Sequence, residues 1–99
     1  MTIMNRRIFH IQPGEMPNAL ALLNEVGPKV KFPGPCRVYH TLTGEFDRII
    51  IEYEFADFAA YEAFWQYWAE TYADDFMPRW RTVSLPGGTN ELFQKDIEL

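Results

Sequence analysis

Two histidines, His10 and His40, and a run of charged and hydroxylated side chains at alternate positions between residues 37 and 54 are the groups of this 99-residue chain best suited to moving a proton or holding a polar ligand. A neutral imidazole takes up a proton near neutral pH, so His10, close to the end of the β-prone stretch "IMNRRIFHI", reads as a general base. His40 alternates with apolar neighbours and reads instead as a hydrogen-bonded core or interface histidine. Two imidazoles with Glu52 or Glu54 would supply three metal ligands, yet no local ligand spacing supports such a site, and no metal is expected. Arg37 and Arg48 can orient a carboxylate or enolate through parallel N–H bonds, and a desolvated Glu52 can accept a proton. Glu54, near a strand end, reads as a member of a cross-strand ion pair. The expected catalytic set is therefore His10, Tyr39 and Glu52, and the expected ligand-binding set is Arg37, Arg48, Ile50, Phe64 and Tyr67. Neither a Gly-rich phosphate loop nor a nucleophile elbow is present, and "PGGT" at 86–89 is a turn with no helix after it.

The stretch "FAAYEAFWQYW", residues 58–68, places six aromatic rings in eleven residues. At about 100° per residue, Phe58, Tyr61, Trp65, Trp68, Tyr72 and Phe76 fall within an arc of roughly 80°, one helical stripe of core width. Phe64 and Tyr67 lie on an adjacent flank that faces a second subunit, the loop 27–35 or a ligand.

The elements that must position these groups follow from period and punctuation. Residues 3–11 form a strand closed by Pro13 and Gly14. From Glu15, the apolar positions Met16, Ala19, Leu20, Leu23 and Val26 recur at helical spacing, and Gly27 and Pro28 stop the helix. "GPKVKFPGP", residues 27–35, is a proline-rich loop long enough to form a lip over a cavity. "CRVYHTL" and "FDRIIIEYEF" flank Thr43, Gly44 and Glu45 as two strands of a tight hairpin. That register pairs Arg37 with Glu52, Val38 with Ile51, Tyr39 with Ile50 and His40 with Ile49. It gives one apolar face for the helices and one amphipathic face bearing Arg37, Tyr39, Thr41, Arg48, Ile50, Glu52 and Glu54. Asp57 caps a second helix running to about Ala73 or Met77, before Pro78. "ELFQKDIEL", residues 91–99, alternates as a fourth strand. The order is β-α-β-β-α-β, an α+β, ferredoxin-like sandwich in one domain over residues 1–99.

A hydrophobic content of 47%, with 16% aromatic residues, is that of a chain that folds, and a domain of this size commonly gains burial by association. The net charge of −5 and a pI near 4.9, with the nine basic residues scattered, argue against nucleic acid as a partner. No apolar run approaches the roughly 20 residues of a membrane span, and a single cysteine, Cys36, excludes an intrachain disulfide and suits a reducing, cytoplasmic setting.

With "FHIQPGEMPNALALL" after strand one, the segment "YHTLTGEFDRIIIEYEFADFAAYEAFWQYW" and the ending "FMPRWRTVSLPGGTNELFQ", the chain resembles the dimeric α/β-barrel superfamily over nearly its whole length. In particular it is similar to NIPSNAP-like proteins and, more loosely, to antibiotic-biosynthesis-monooxygenase-like domains. The resemblance implies a homodimer whose two sheets face each other, with a cavity between sheet and helices or at the dimer centre. Some members of that superfamily are cofactor-independent monooxygenases, others degrade haem or chlorite or isomerise lactones. No catalytic residue of any branch is carried over. The expected function is binding of an apolar small molecule with one oxygenated end, fatty-acid-like or polycyclic, without a cofactor. The alternative is a cofactor-independent monooxygenase or related small-molecule enzyme.

Overall fold

A computed structural model describes residues 1–99. The chain runs β1 (Thr2–His10), α1 (Met16–Val26), a 3-10 turn (Gly27–Lys29), β2 (Cys36–His40), β3 (Arg48–Phe55), α2 (Phe58–Thr71), α3 (Ala73–Arg81) and β4 (Thr89–Lys95). The strands form one antiparallel sheet in the order β2-β3-β1-β4, the ferredoxin-like arrangement. The β2–β3 register is the expected one, with Arg37 opposite Glu52, Tyr39 opposite Ile50 and His40 opposite Ile49.

Asp57 caps α2, its Oδ1 accepting the Ala60 N–H at 2.8 Å. This satisfies one of the four backbone donors that a helix start leaves free. Gly27 and Pro28 end α1 as a 3-10 turn. At Gly34 the loop crosses β3 so closely that an added Cβ would stand 2.5 Å from the Glu54 carbonyl oxygen, so no side chain fits there.

Four expectations are corrected. The hairpin is not tight: residues 41–47 form a seven-residue connection closed by the Thr41 N–H to the Arg48 carbonyl, with Asp47 at φ 53°. The second helix does not run unbroken toward Pro78. It ends at Thr71, breaks at Tyr72 and resumes as α3, which contains Pro78. Proline is tolerated there because the carbonyl it leaves without a partner, four residues back, is that of Asp74 in the first turn of α3. The last strand begins at Thr89 and ends at Lys95, short of residue 99. Finally, of the two settings expected for His40, core or interface, the core is ruled out, because His40 lies exposed on edge strand β2.

Period two assigns the sheet faces. Ile3, Asn5, Arg7 and Phe9 of β1 stand opposite Phe55, Tyr53, Ile51 and Ile49 of β3 on the helix-covered side. The core joins Ile49, Ile51 and Phe55 to Ala19, Leu22 and Val26 of α1, Phe64 of α2, and Phe76 and Trp80 of α3, with Phe9 and Tyr53 packed against it. Leu22 is buried although it stands outside the expected α1 stripe. In α2 the burial centre is Phe64, 4% exposed, while Phe58 is 53% exposed. The core face is thus rotated from the expected arc toward the Phe64 flank, because the loop ring of Phe32 stacks on Phe64 at 5.5 Å. Burying a phenylalanine in this way contributes about 1.5–3 kcal/mol.

Candidate functional site

The aromatic side chains of α2 and α3 hold the helical layer away from the sheet and leave a two-lobed cavity between them. The larger lobe, about 260 Å³, is lined by thirteen residues, twelve of them hydrophobic. Val30 and Phe32 of the loop, Cys36 and Val38 of β2, and Phe64 and Trp68 of α2 are among its walls. The smaller lobe, about 110 Å³, shares Leu23, Ile51, Tyr53, Trp65, Trp68 and Phe76 with the first and adds Arg7, Phe9, Met77 and Trp80. Arg7 is the one residue of that lobe's lining that is not hydrophobic. The cavity is therefore apolar along its length and cationic at one end. Its two lobes together reach only the low end of ligand-pocket volumes, roughly 300–1,000 Å³, so it suits a small molecule.

Arg7 is held by two contacts. Its guanidinium carbon lies 3.6 Å from the centroid of the Trp65 ring, and its Nε donates to Asn5 Oδ1 at 3.2 Å. Asn5, fully buried, donates through Nδ2 to Asn90 Oδ1 and to the Glu91 carbonyl at 3.0 Å. The arginine is thus anchored through β1 to β4. Trp65 packs edge-on to Tyr53 at 5.1 Å and Phe64 at 4.9 Å, and its buried Nε1 has no hydrogen-bond partner.

Burial raises the Tyr53 phenol well above its ordinary value, against which the Arg7 charge acts in the opposite direction. Burial alone pushes the Cys36 thiol up to about 11. Both groups are neutral at physiological pH, which leaves Arg7 as the only fixed charge among the residues that line the cavity.

Of the sequence-expected residues, Phe64 lines the cavity. Tyr67 borders it from outside: its hydroxyl accepts the Lys31 N–H at 3.1 Å and bonds Tyr72, whose hydroxyl donates to the Lys29 carbonyl at 2.9 Å. These bonds fasten the cavity lip to the α2–α3 break. The other six lie away from the cavity. His10, Arg48 and Ile50 stand on the open sheet face, His10 directly opposite Arg48. Arg37, Tyr39 and Glu52 share that face across β2 and β3. The Arg37 partner is Glu54 at 3.2 Å, not Glu52, which binds Arg6 at 3.0 Å. Lys95 reaches Glu54 from β4 at 3.3 Å. Glu54 is consequently held below the usual glutamate range, chiefly by the Arg37 hydrogen bond and secondarily by Lys95. Arg48 Nε is buried without a partner. No group of three or more His, Cys, Asp or Glu side chains is placed to hold a metal ion, and no helix is long and apolar enough to cross a membrane.

Sequence reasoning missed Arg7. The signal was parity: Arg7 shares the odd-numbered face of β1 with Ile3, Phe9 and the buried Ile11, so strand alternation alone points it toward the helices.

No protein-family model matches the chain, and no curated protein matches it. Solved structures do. A NIPSNAP family protein from Agrobacterium tumefaciens matches with a TM-score of 0.85 at 22% identity, over 97% of this chain and 94% of the other. A NIPSNAP domain protein from Burkholderia xenovorans matches with a TM-score of 0.77 at 16% identity, over 97% and 95%. SnoaB, a cofactor-independent oxygenase from Streptomyces nogalater, matches with a TM-score of 0.68 at 12% identity, over 99% and 96%. At these identities the likeness is one of fold, and the fold is the one the sequence led us to expect.

Proposed function

We propose that the chain binds a small, largely apolar molecule with one oxygenated end in the cavity between sheet and helices, as one subunit of a homodimer. The observation that carries the reading is the cavity itself, apolar on all sides except at Arg7. Ligand sites are commonly built this way, with apolar walls for affinity and a few polar groups for orientation. A packed core of this size would not be expected to leave such a space, since interiors close to near-crystalline density.

The dimer half of the proposal rests on the open sheet face. Only 14 of 99 residues are buried, because that face is bare and β4 is exposed along its whole length. Met4, Ile8, Ile50, Tyr39 and Phe93 alternate there with the ion-paired arginines and glutamates. A sheet face that interleaves this many apolar side chains with its ion pairs gains burial when a second layer covers it. In the homodimer, His10, Tyr39, Arg48 and Glu52 face the partner sheet, where they can line a second chamber.

Mass spectrometry of an organic extract of the purified protein, together with tryptophan fluorescence during titration with octan-1-ol and octanoate, tests the binding reading. A co-purified small molecule or saturable quenching supports it. A chain that is always empty and responds to neither compound overturns it. Sedimentation at micromolar concentration tests the dimer, and a stable monomer refutes it.

A second reading is a cofactor-independent oxygenase, supported by the fold shared with SnoaB and by the unpartnered Trp65 Nε1 among the residues lining the cavity. Oxygen consumption with dihydroxyaromatic substrates, abolished by Trp65→Phe, supports it. No consumption over background excludes it for that substrate class.

A further inference from the structure

We infer that Arg7 is the anion-receiving head of the cavity, and that the ligand class is a small monocarboxylate or comparable singly charged organic anion rather than a neutral oxygenated molecule. The inference rests on the binding role proposed for the cavity and adds the charge of its occupant.

Arginine stays protonated under all physiological conditions, and a charge turned toward an apolar interior is unfavourable unless it is paired. Arg6, Arg37, Arg48 and Arg79 each meet a carboxylate. Arg7, half-buried between the layers, meets none: its neighbours are the Asn5 amide and the Trp65 ring. These contacts occupy Nε and one face of the guanidinium and leave the two terminal nitrogens free. A carboxylate can accept from both at once in the planar fork geometry, which an alcohol or ketone cannot match. Asn5 is a positioning residue here, since its buried amide fixes Nε and is itself fixed by Asn90 and Glu91 of β4. Carbon behind the carboxylate would run along Leu23, Ile51 and Phe76 into the larger lobe.

The test compares octanoate with octan-1-ol, equal in chain length and different in charge, by isothermal titration at neutral pH on the wild-type chain. Octanoate is expected to bind about tenfold tighter or more, the range of a charge-assisted pair. In Arg7→Met the preference should disappear while octan-1-ol binding survives, and in Arg7→Lys, which keeps the charge without the fork, it should be partly retained. The wild-type comparison does not depend on either variant folding. Equal binding of the two compounds, or a preference that persists in Arg7→Met, overturns the charge assignment and leaves the binding reading standing. Binding of neither overturns both.

Discussion

The Arg7 guanidinium carbon stands 3.6 Å from the centroid of the Trp65 ring, so β1 and α2 are joined at the cavity by a cation resting on an indole. A contact of this kind is worth about 0.5–2 kcal/mol, more when desolvated. A double-mutant cycle of Arg7→Met and Trp65→Leu, read by urea denaturation, should return a coupling of about 1 kcal/mol beyond the separate packing losses. A coupling indistinguishable from zero means the two side chains are merely adjacent.

Asn5 is the only fully buried polar residue in the chain, and its amide links β1 to β4 and to Arg7. Asn5→Leu leaves the Asn90 side chain and the Glu91 carbonyl without that donor. The expected loss is about 1–3 kcal/mol of stability. Amide exchange should accelerate across residues 89–95, where β4 has no helix over it. Unchanged β4 protection in this variant would show that backbone pairing alone holds the strand.

Glu54 has its pKa lowered from 4.5, first by Arg37 and then by Lys95. A carboxyl depressed in the folded state contributes stability that is fully present above its unfolded value and is lost as pH falls through the folded one. Wild type should therefore exceed Glu54→Gln in urea midpoint at neutral pH, by a small margin because the pair is solvent-screened. The difference should close as the pH drops below 4.5. A margin independent of pH would assign the effect to packing rather than charge.

Cys36 lies in the larger lobe with its thiol raised from 9.0 to about 11 by burial. Two units mean roughly a hundredfold less thiolate at neutral pH, and the thiolate is the species that alkylates. Native Cys36 should react with iodoacetamide about a hundredfold more slowly than in urea, and more slowly still with octanoate present. Equal rates in the native and unfolded chain would contradict the burial of this thiol.

Much of the fold was legible because it depends on local rules. The β2–β3 register follows from period two, the start of α2 from the side-chain oxygen of Asp57, and the end of α1 from Gly27 and Pro28. The second sheet face was legible as an amphipathic set, yet its ion pairs were not. Arg37 passes over Glu52 to Glu54 because Arg6, on the strand next to β3, already holds Glu52. That competition involves a residue some thirty positions away in sequence, which cross-strand pairing within one hairpin does not include.

By itself, the sequence determined the order of elements, the apolar face of the hairpin and the aromatic density of residues 58–68, since these rest on spacing and on backbone chemistry that each residue carries wherever it is placed. The tertiary structure decided which aromatics became core and which residue became the polar end of the cavity. Phe64 is buried, and Phe58 is not, because Phe32 and Tyr53 arrive on the Phe64 side. Arg7, one of two adjacent arginines in "NRRIF", faces the cavity because it shares its strand face with Ile3 and Phe9, and Trp65 lies across the gap to receive it. Both outcomes depend on contacts between segments remote in the chain, whose geometry exists only after the layers have packed.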